Sequence, residues 1–173
     1  LDPVYENLPI HTDKKYPHGR LLFVGRIARE KGVLELLQAF SQLLERYPQL
    51  RLELIGDAHI GGSTQPSVYK AKVEEYIGEE RLADYVSMRG WLSKEALKAE
   101  YLKGGIAVFP SLWVEVFGMV ALEAMACGIP VVASDKPGFR YLLGDQEERG
   151  FLIDDPYNPE QIASKIKQVL NYN

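Results

Sequence analysis

Residues 20–48 read RLLFVGRIAREKGVLELLQAFSQLLERYP, and this stretch carries the pattern on which the fold turns. Its opening, RLLFVG, is a short apolar run of strand length. Gly25 and Gly32 then bracket a charged turn. Beyond it, apolar side chains fall at Val33, Leu36, Leu37, Phe40, Leu43 and Leu44, the spacing of one helical face. Pro48 cannot continue a helix and marks its limit. A strand, a tight turn and a helix in succession form the repeating unit of a parallel sheet wrapped by helices.

The unit recurs along the chain. RLELIG (51–56) reads as a second strand, HIGGSTQP (59–66) as a loop and SVYKAKVEEYIG (67–78) as a helix. YVSMRG (85–90) is a third strand, followed by SKEALKAEYLKG (93–104), in which Ser93 is a fitting N-cap. GIAVFP (105–110), the loop and helix EVFGMVALEAMACG (115–128) and the strand IPVVAS (129–134) come next. GFLID (150–154) and PEQIASKIKQVL (159–170) close the chain, with Pro159 suited to a first helical turn. The expectation is an α/β fold, a Rossmann-like doubly wound parallel sheet of about six strands. Residues 1–19 mix Pro3, Pro9 and Pro17 with charges and show no apolar period, so they read as a linker or tether from a further N-terminal domain. Residues 20–173 then form one domain.

Composition narrows the function. At 173 residues and 46% hydrophobic, the chain has enough apolar material for one sizeable core. A formal net charge of -4 supplies no cationic field for nucleic acid or an anionic membrane, so any positive site must be local. The single cysteine, Cys127, excludes an internal disulfide and a cysteine-based metal site; it reads as a small core residue. No run approaches the roughly 20 apolar residues that span a bilayer. The expected compartment is the cytoplasm, with peripheral contact of a longer protein at the inner membrane surface left open. His11, His18 and His59 have no metal-ligand spacing, and Asp154-Asp155 reads as a turn or helix start.

In an open parallel sheet, ligands lie off the carboxyl ends of the strands, and polar residues gather there. Arg26 and Lys31 follow the first strand. Near a helix N-terminus two cations can hold a diphosphate by charge-assisted hydrogen bonds, or they can form a solvated corner with Arg29 and Glu30. A P-loop is excluded, because Lys31 precedes Gly32 and no hydroxyl follows. After the fourth strand come Glu115, Phe117 and Gly118. With no Cβ at Gly118, the amides of Phe117, Gly118, Met119 and Val120 can meet an anion. Glu123 interrupts an apolar helix. Glu115 and Glu123 can each accept from vicinal sugar hydroxyls, or else favour the helix dipole and pair with an internal cation. Asp57 is a ligand contact or a turn residue, and Trp91 and Trp113 either line the cleft or cap the core.

The combination GRIAREKGVLELLQAF, LIGDA, VSMRGWLSKEALKAEYLKGGIAVFPS, EVFGMVALEAMACGIPVVAS and RGFLIDDPYNPEQIASKI resembles the C-terminal domain of family-four retaining glycosyltransferases. The likeness covers nearly everything after Gly19. Its most specific element is Glu115 and Glu123 flanking Phe117-Gly118. The resemblance implies the C-terminal half of a GT-B fold, two Rossmann-like domains facing a cleft, with the donor held chiefly by the second. It implies diphosphate binding by Arg26 and Lys31 beside Gly25, and contact of Glu115 with the transferred sugar. Glu123 would bind the ribose, and the amides of Phe117, Gly118, Met119 and Val120 would meet sugar and phosphate. Arg89, Gly90 and Trp91 would cradle the base. One departure stands out: family members commonly carry Gly-Gly and a Glu after the fifth strand, whereas here DKPGFRYLL places Pro137-Gly138 and Arg140-Tyr141 there, which puts local loop packing in question.

The chemistry implied is transfer of a hexose, mannose or glucose by family weight, from a GDP- or UDP-sugar to a glycan or lipid-linked acceptor. Arg26, Lys31 and the helix amides would stabilise the departing nucleotide as an oxocarbenium-like state forms. No cofactor or metal is required. Glu115 fits a binding role better than that of a nucleophile. The acceptor site would lie on the further domain, so this chain is expected to bind donor and transfer little. The alternatives are a GT-B sugar phosphorylase, a nucleotide-sugar epimerase and a non-catalytic nucleotide-sugar-binding module.

Overall fold

A computed structural model of the chain describes residues 3–5, 19–58, 67–144 and 149–171. Six parallel strands form one sheet: β1 (Arg20–Val24), β2 (Arg51–Ile55), β3 (Val86–Gly90), β4 (Ile106–Phe109), β5 (Val131–Ser134) and β6 (Phe151–Ile153). Their spatial order is β3-β2-β1-β4-β5-β6. The chain winds outward from β1 in one direction, returns to β4 and winds outward in the other. The order therefore switches between β1 and β4, and a crevice must open above their carboxyl ends.

Helices cover both faces. They are α1 (Val33–Leu44), α2 (Val68–Glu79), α3 (Lys94–Leu102), α4 (Met119–Ala126), α5 (Pro137–Leu143) and α6 (Pro159–Leu170). Because side chains alternate across a strand, Leu21 and Phe23 join the cluster under α1, α2 and α6, while Leu22 and Val24 join the cluster under α3, α4 and α5. Strands β1, β4 and β5, apolar apart from Arg20 at the start of β1 and Ser134 at the end of β5, are buried on both sides, as a central parallel strand must be. The contribution is about 1.5 to 3 kcal/mol for each fully buried Leu, Val or Phe side chain.

Caps fix the helix starts. The hydroxyls of Ser67 and Ser93 accept from the amides of Lys70 and Ala96, and the side chain of Asn158 accepts from that of Glu160. Helix α1 begins two residues later than its sequence signal, because Arg29–Lys31 form a 3-10 turn that Gly32 ends with a left-handed backbone, φ 70. Helix α5 has no counterpart in the expectation, which treated its residues as loop. A seven-residue helix opening on Pro137-Gly138 is too short to show a period.

Of the tether at 1–19, Pro3–Tyr5 and Gly19 lie within the described residues, and 1–2 and 6–18 lie outside them, His11 and His18 included. The loop 59–66 with His59 lies outside as well. Pro3–Tyr5 form a 3-10 turn against α3, where Lys98 Nζ donates to the Val4 carbonyl. The Tyr5 side chain is 3% exposed in the core beneath α3 and α4, so this part of the tether is docked. On the same face of the sheet an ionic cluster joins β1, β2, β3 and α3: Arg20 meets Glu53 at 2.9 Å and Glu100 at 2.7 Å, and Arg89 and Lys103 also reach these carboxylates. Among the described residues no helix is long and apolar enough to cross a membrane.

Candidate functional site

The crevice at the switch point is a cavity of 340 Å³. Its floor is the ends of β1 and β4, with Phe23, Val24, Gly25 and Phe109, and its walls are the two loops that leave those strands. Backbone contacts seam the loops together. The Glu30 carbonyl accepts from the amides of Leu112 at 2.9 Å and Trp113 at 3.3 Å. A Cβ at Gly32 would stand 2.0 Å from the Pro110 carbonyl oxygen, so only glycine lets the first turn approach the second so closely.

This seam brings Lys31 to Glu115. The Lys31 ammonium donates to Glu115 Oε2 at 2.7 Å, with 26% and 22% of the two side chains exposed. The same oxygen accepts from the Ser111 hydroxyl at 3.2 Å. From the other side, the Gly138 amide of α5 donates to the Glu115 carbonyl at 2.8 Å. A Cβ at Gly138 would lie 2.5 Å from the Phe117 nitrogen, so α5 presses directly on the loop. Phe139 stacks on Phe109 with centroids 6.0 Å apart and closes the cavity beneath Gly118. Gly118 turns the chain at φ 79 into α4, whose first amides belong to Met119 and Val120. First-turn amides have no acceptor within their own helix and carry its positive dipole end. The site thus offers a cation, a carboxylate and a helix N-terminus around an apolar floor, an arrangement suited to a ligand with both anionic and hydroxyl groups.

Of the residues proposed from sequence, Gly25, Lys31, Glu115, Phe117, Gly118, Met119 and Val120 line the cavity. Arg26, Arg89, Gly90 and Glu123 are not among its lining residues. Arg26 is held by Glu30 at 2.6 Å, one helical turn away and 41% exposed, which matches the solvated corner more closely than a preformed phosphate clamp. Arg89 belongs to the ionic cluster with Glu53 and Glu100, since the alternation of β3 turns it to the face where those carboxylates need counter-charge. Gly90 lies at the end of β3, where its carbonyl accepts from the Gly56 amide at 2.7 Å. Glu123 stands half-buried on α4, close enough that its charge adds to burial in pushing the Tyr101 hydroxyl well above its ordinary pKa.

Asp57 follows β2 by two residues, and its carbonyl accepts from the Ile27 amide at 3.0 Å. Its carboxylate accepts from the adjacent Ala58 amide and from Lys70. Trp91 and Trp113 are 76% and 72% exposed, so neither caps the core. Cys127 is buried in it. Sequence reasoning missed Ser111, Phe23, Phe109 and Phe139. Ser111 directly follows the fourth strand and was available as a signal; the phenylalanines look like any core residue until the sheet order is known.

The profile described as glycosyl transferases group 1 matches residues 9–173. The chain belongs to this family. The lipopolysaccharide 1,2-N-acetylglucosaminetransferase of Salmonella typhimurium is 33% identical over 150 residues, 87% of this chain and 39% of that protein. A D-inositol 3-phosphate glycosyltransferase of Corynebacterium jeikeium is 36% identical over 151 residues, 86% of this chain and 34% of that protein. The chain thus spans well under half the length of these relatives. Among solved structures, HepE of Anabaena in complex with UDP-glucose superposes with TM-score 0.77 at 26% identity, covering 90% of this chain and 40% of that one. The C-terminal domain of a group 1 protein of Francisella tularensis, LpcC, superposes at 0.76 with 26% identity, covering 89% of this chain and 76% of that domain. The fold is therefore the C-terminal, Rossmann-like half of the GT-B architecture.

Proposed function

We propose that this domain holds a nucleoside-diphosphate sugar for a glycosyltransferase that moves a hexose to a glycan or lipid-linked acceptor with retention. One observation carries the proposal: Lys31 and Glu115 meet at the sheet's switch point, directly before the N-terminus of α4. The diphosphate would lie on Lys31 and the first amides of α4, where charge-assisted hydrogen bonds and the helix dipole act together. Glu115 would accept from the sugar hydroxyls. Glu123, three and four positions after the cavity-lining Val120 and Met119, shares their helical face and would reach the ribose. Arg26 adjoins Gly25 and would add its charge on leaving Glu30. For the base, the backbone of Arg89 and Gly90 remains the proposed contact, the Arg89 side chain being used elsewhere.

As the anomeric bond breaks, negative charge grows on the departing diphosphate. Lys31 and the amides stand where that charge appears, and such preorganised groups commonly contribute more to catalysis than any other effect. Positive charge from the protein suffices in this scheme, with no cofactor or divalent metal invoked. The whole protein would act in the cytoplasm, at the inner membrane surface where the acceptor is a lipid. UDP-bound and UDP-glucose-bound HepE makes a UDP-hexose the first donor to try, with GDP-mannose second. Calorimetric titration of the chain with both should give saturable binding to one. Absence of binding to any nucleotide sugar would remove the proposal.

A further inference from the structure

We infer that the Lys31–Glu115 ion pair, braced by Ser111, makes this cleft select an intact nucleoside-diphosphate sugar over the free nucleoside diphosphate. The inference rests on the function proposed above and adds a specificity to it. The Lys31 ammonium donates to Glu115 Oε2 at 2.7 Å, and both side chains are about three-quarters buried. An ammonium has three donors and one goes to Glu115, so a phosphate that binds Lys31 either shares it with that carboxylate or takes its place, and in both cases comes close to Glu115. Glu115 cannot swing far, because Gly138 holds its carbonyl and the Ser111 hydroxyl, on a side chain buried with the residue 3% exposed, holds its carboxylate. The carboxylate therefore stays beside the terminal phosphate.

What it meets there depends on the ligand. In a sugar nucleotide the terminal phosphate carries the sugar on one oxygen and a single charge, and the sugar brings hydroxyl donors to Glu115, so both Lys31 and Glu115 find partners. In the free nucleoside diphosphate the sugar is replaced by a further ionisable oxygen, with a second pKa near about 6, and at neutral pH it faces Glu115 charge to charge. A like-charge contact in a partly desolvated site changes affinity by about tenfold or more. The same contact favours departure of the nucleotide once the sugar has left.

The test compares UDP-glucose with UDP, and GDP-mannose with GDP, by calorimetry at pH 8 on the wild-type chain and on Glu115→Gln, with circular dichroism to confirm folding. The substituted amide keeps the shape and an acceptor oxygen while removing the charge. For whichever pair binds, the preference for the sugar-bearing ligand should fall about tenfold or more, with the free diphosphate binding tighter to the variant. Unchanged preference, or a fall caused only by weaker binding of the sugar nucleotide with the free diphosphate unaltered, overturns the inference and leaves the donor-binding function standing. If neither pair binds the wild type, the donor-binding function itself is overturned and the inference falls with it. Should Glu115→Gln fail to fold, Ser111→Ala serves instead: freeing the carboxylate to turn away should raise affinity for the free diphosphate, and no change would overturn the inference.

Discussion

On the proposed function, Lys31 is the side chain on which donor binding turns. Truncation in Lys31→Ala should weaken nucleotide-sugar binding by about 1.5 to 3 kcal/mol, the worth of a charged hydrogen bond, and it leaves Glu115 uncompensated in the cleft. Arg26→Ala should cost less, about 1 kcal/mol, because Arg26 already spends its charge on Glu30 at an exposed site. Calorimetry on the two variants orders them. Glu35 presents the opposite case, a carboxylate that the fold tolerates rather than uses. Its Oε2 is buried with no hydrogen-bond partner among the described residues, and burial raises its pKa, outweighing its backbone hydrogen bond and the nearby Arg29. A raised folded-state pKa means that the native protein holds the proton more tightly than the unfolded chain, so stability falls as pH rises from the unfolded value through the folded one. Glu35→Gln should therefore stabilise the domain by about 1 kcal/mol at pH 7, and the gain should shrink at pH 4; urea melts at the two pH values decide it.

At the scale of elements, α5 does more than cover β5 and β6. Its Gly138 lies against the backbone of Glu115 and Phe117, so Gly138→Ala should push the loop out of place and lower donor affinity about tenfold or more, while far-ultraviolet circular dichroism stays native. The ionic cluster ties α3 to three strands. Burial alone would raise the Glu100 carboxyl, but the Lys103 hydrogen bond and the charges of Lys103, Arg20 and Arg89 together hold it below its ordinary value. The stability it confers is present above the unfolded carboxylate value and is lost as pH falls through the folded one. Glu100→Gln, which removes one of Arg20's two carboxylate partners and leaves Glu53, should cost about 1.5 kcal/mol at pH 7 and less under acid conditions, as read from the same melts. The lone Glu53 in RLELI hinted at such a cluster, since an acid between buried leucines needs a counter-charge. That the partners are Arg20 and Arg89 depends on which strands are neighbours, and the order of strands does not follow from their own apolar runs.

For the whole molecule, a bound donor should raise the thermal midpoint. A ligand at a hundred times its dissociation constant adds about 2.7 kcal/mol, which for a domain of this size is a shift of about 5 to 10 °C; differential scanning fluorimetry with UDP-glucose and GDP-mannose reads it. Much of this molecule was legible in the chain. Strand and helix alternate as their apolar periods require; chemistry at the strand ends made Lys31, Glu115 and the α4 start candidates beside plain structural readings, and the family resemblance gave them their donor roles. Two things were hidden. Phe109 and Phe139 became cavity residues only through the switch between β1 and β4, and the Lys31–Glu115 pair joins positions 84 residues apart that share no local signal. Residue reasoning could name the two charges but not that they neutralise each other.

The Glu30 carbonyl, shared by the amides of Leu112 and Trp113, has a consequence for how the chain acquires its cleft. The cleft is stitched from segments some eighty residues apart, and contacts of such separation form late, after local helices and hairpin-length structure. A chain caught partway through refolding can show native helical signal with no cleft at all. Ligand titration then counts finished molecules: in any preparation, the stoichiometry of donor binding is a direct assay of the fraction that has completed its fold.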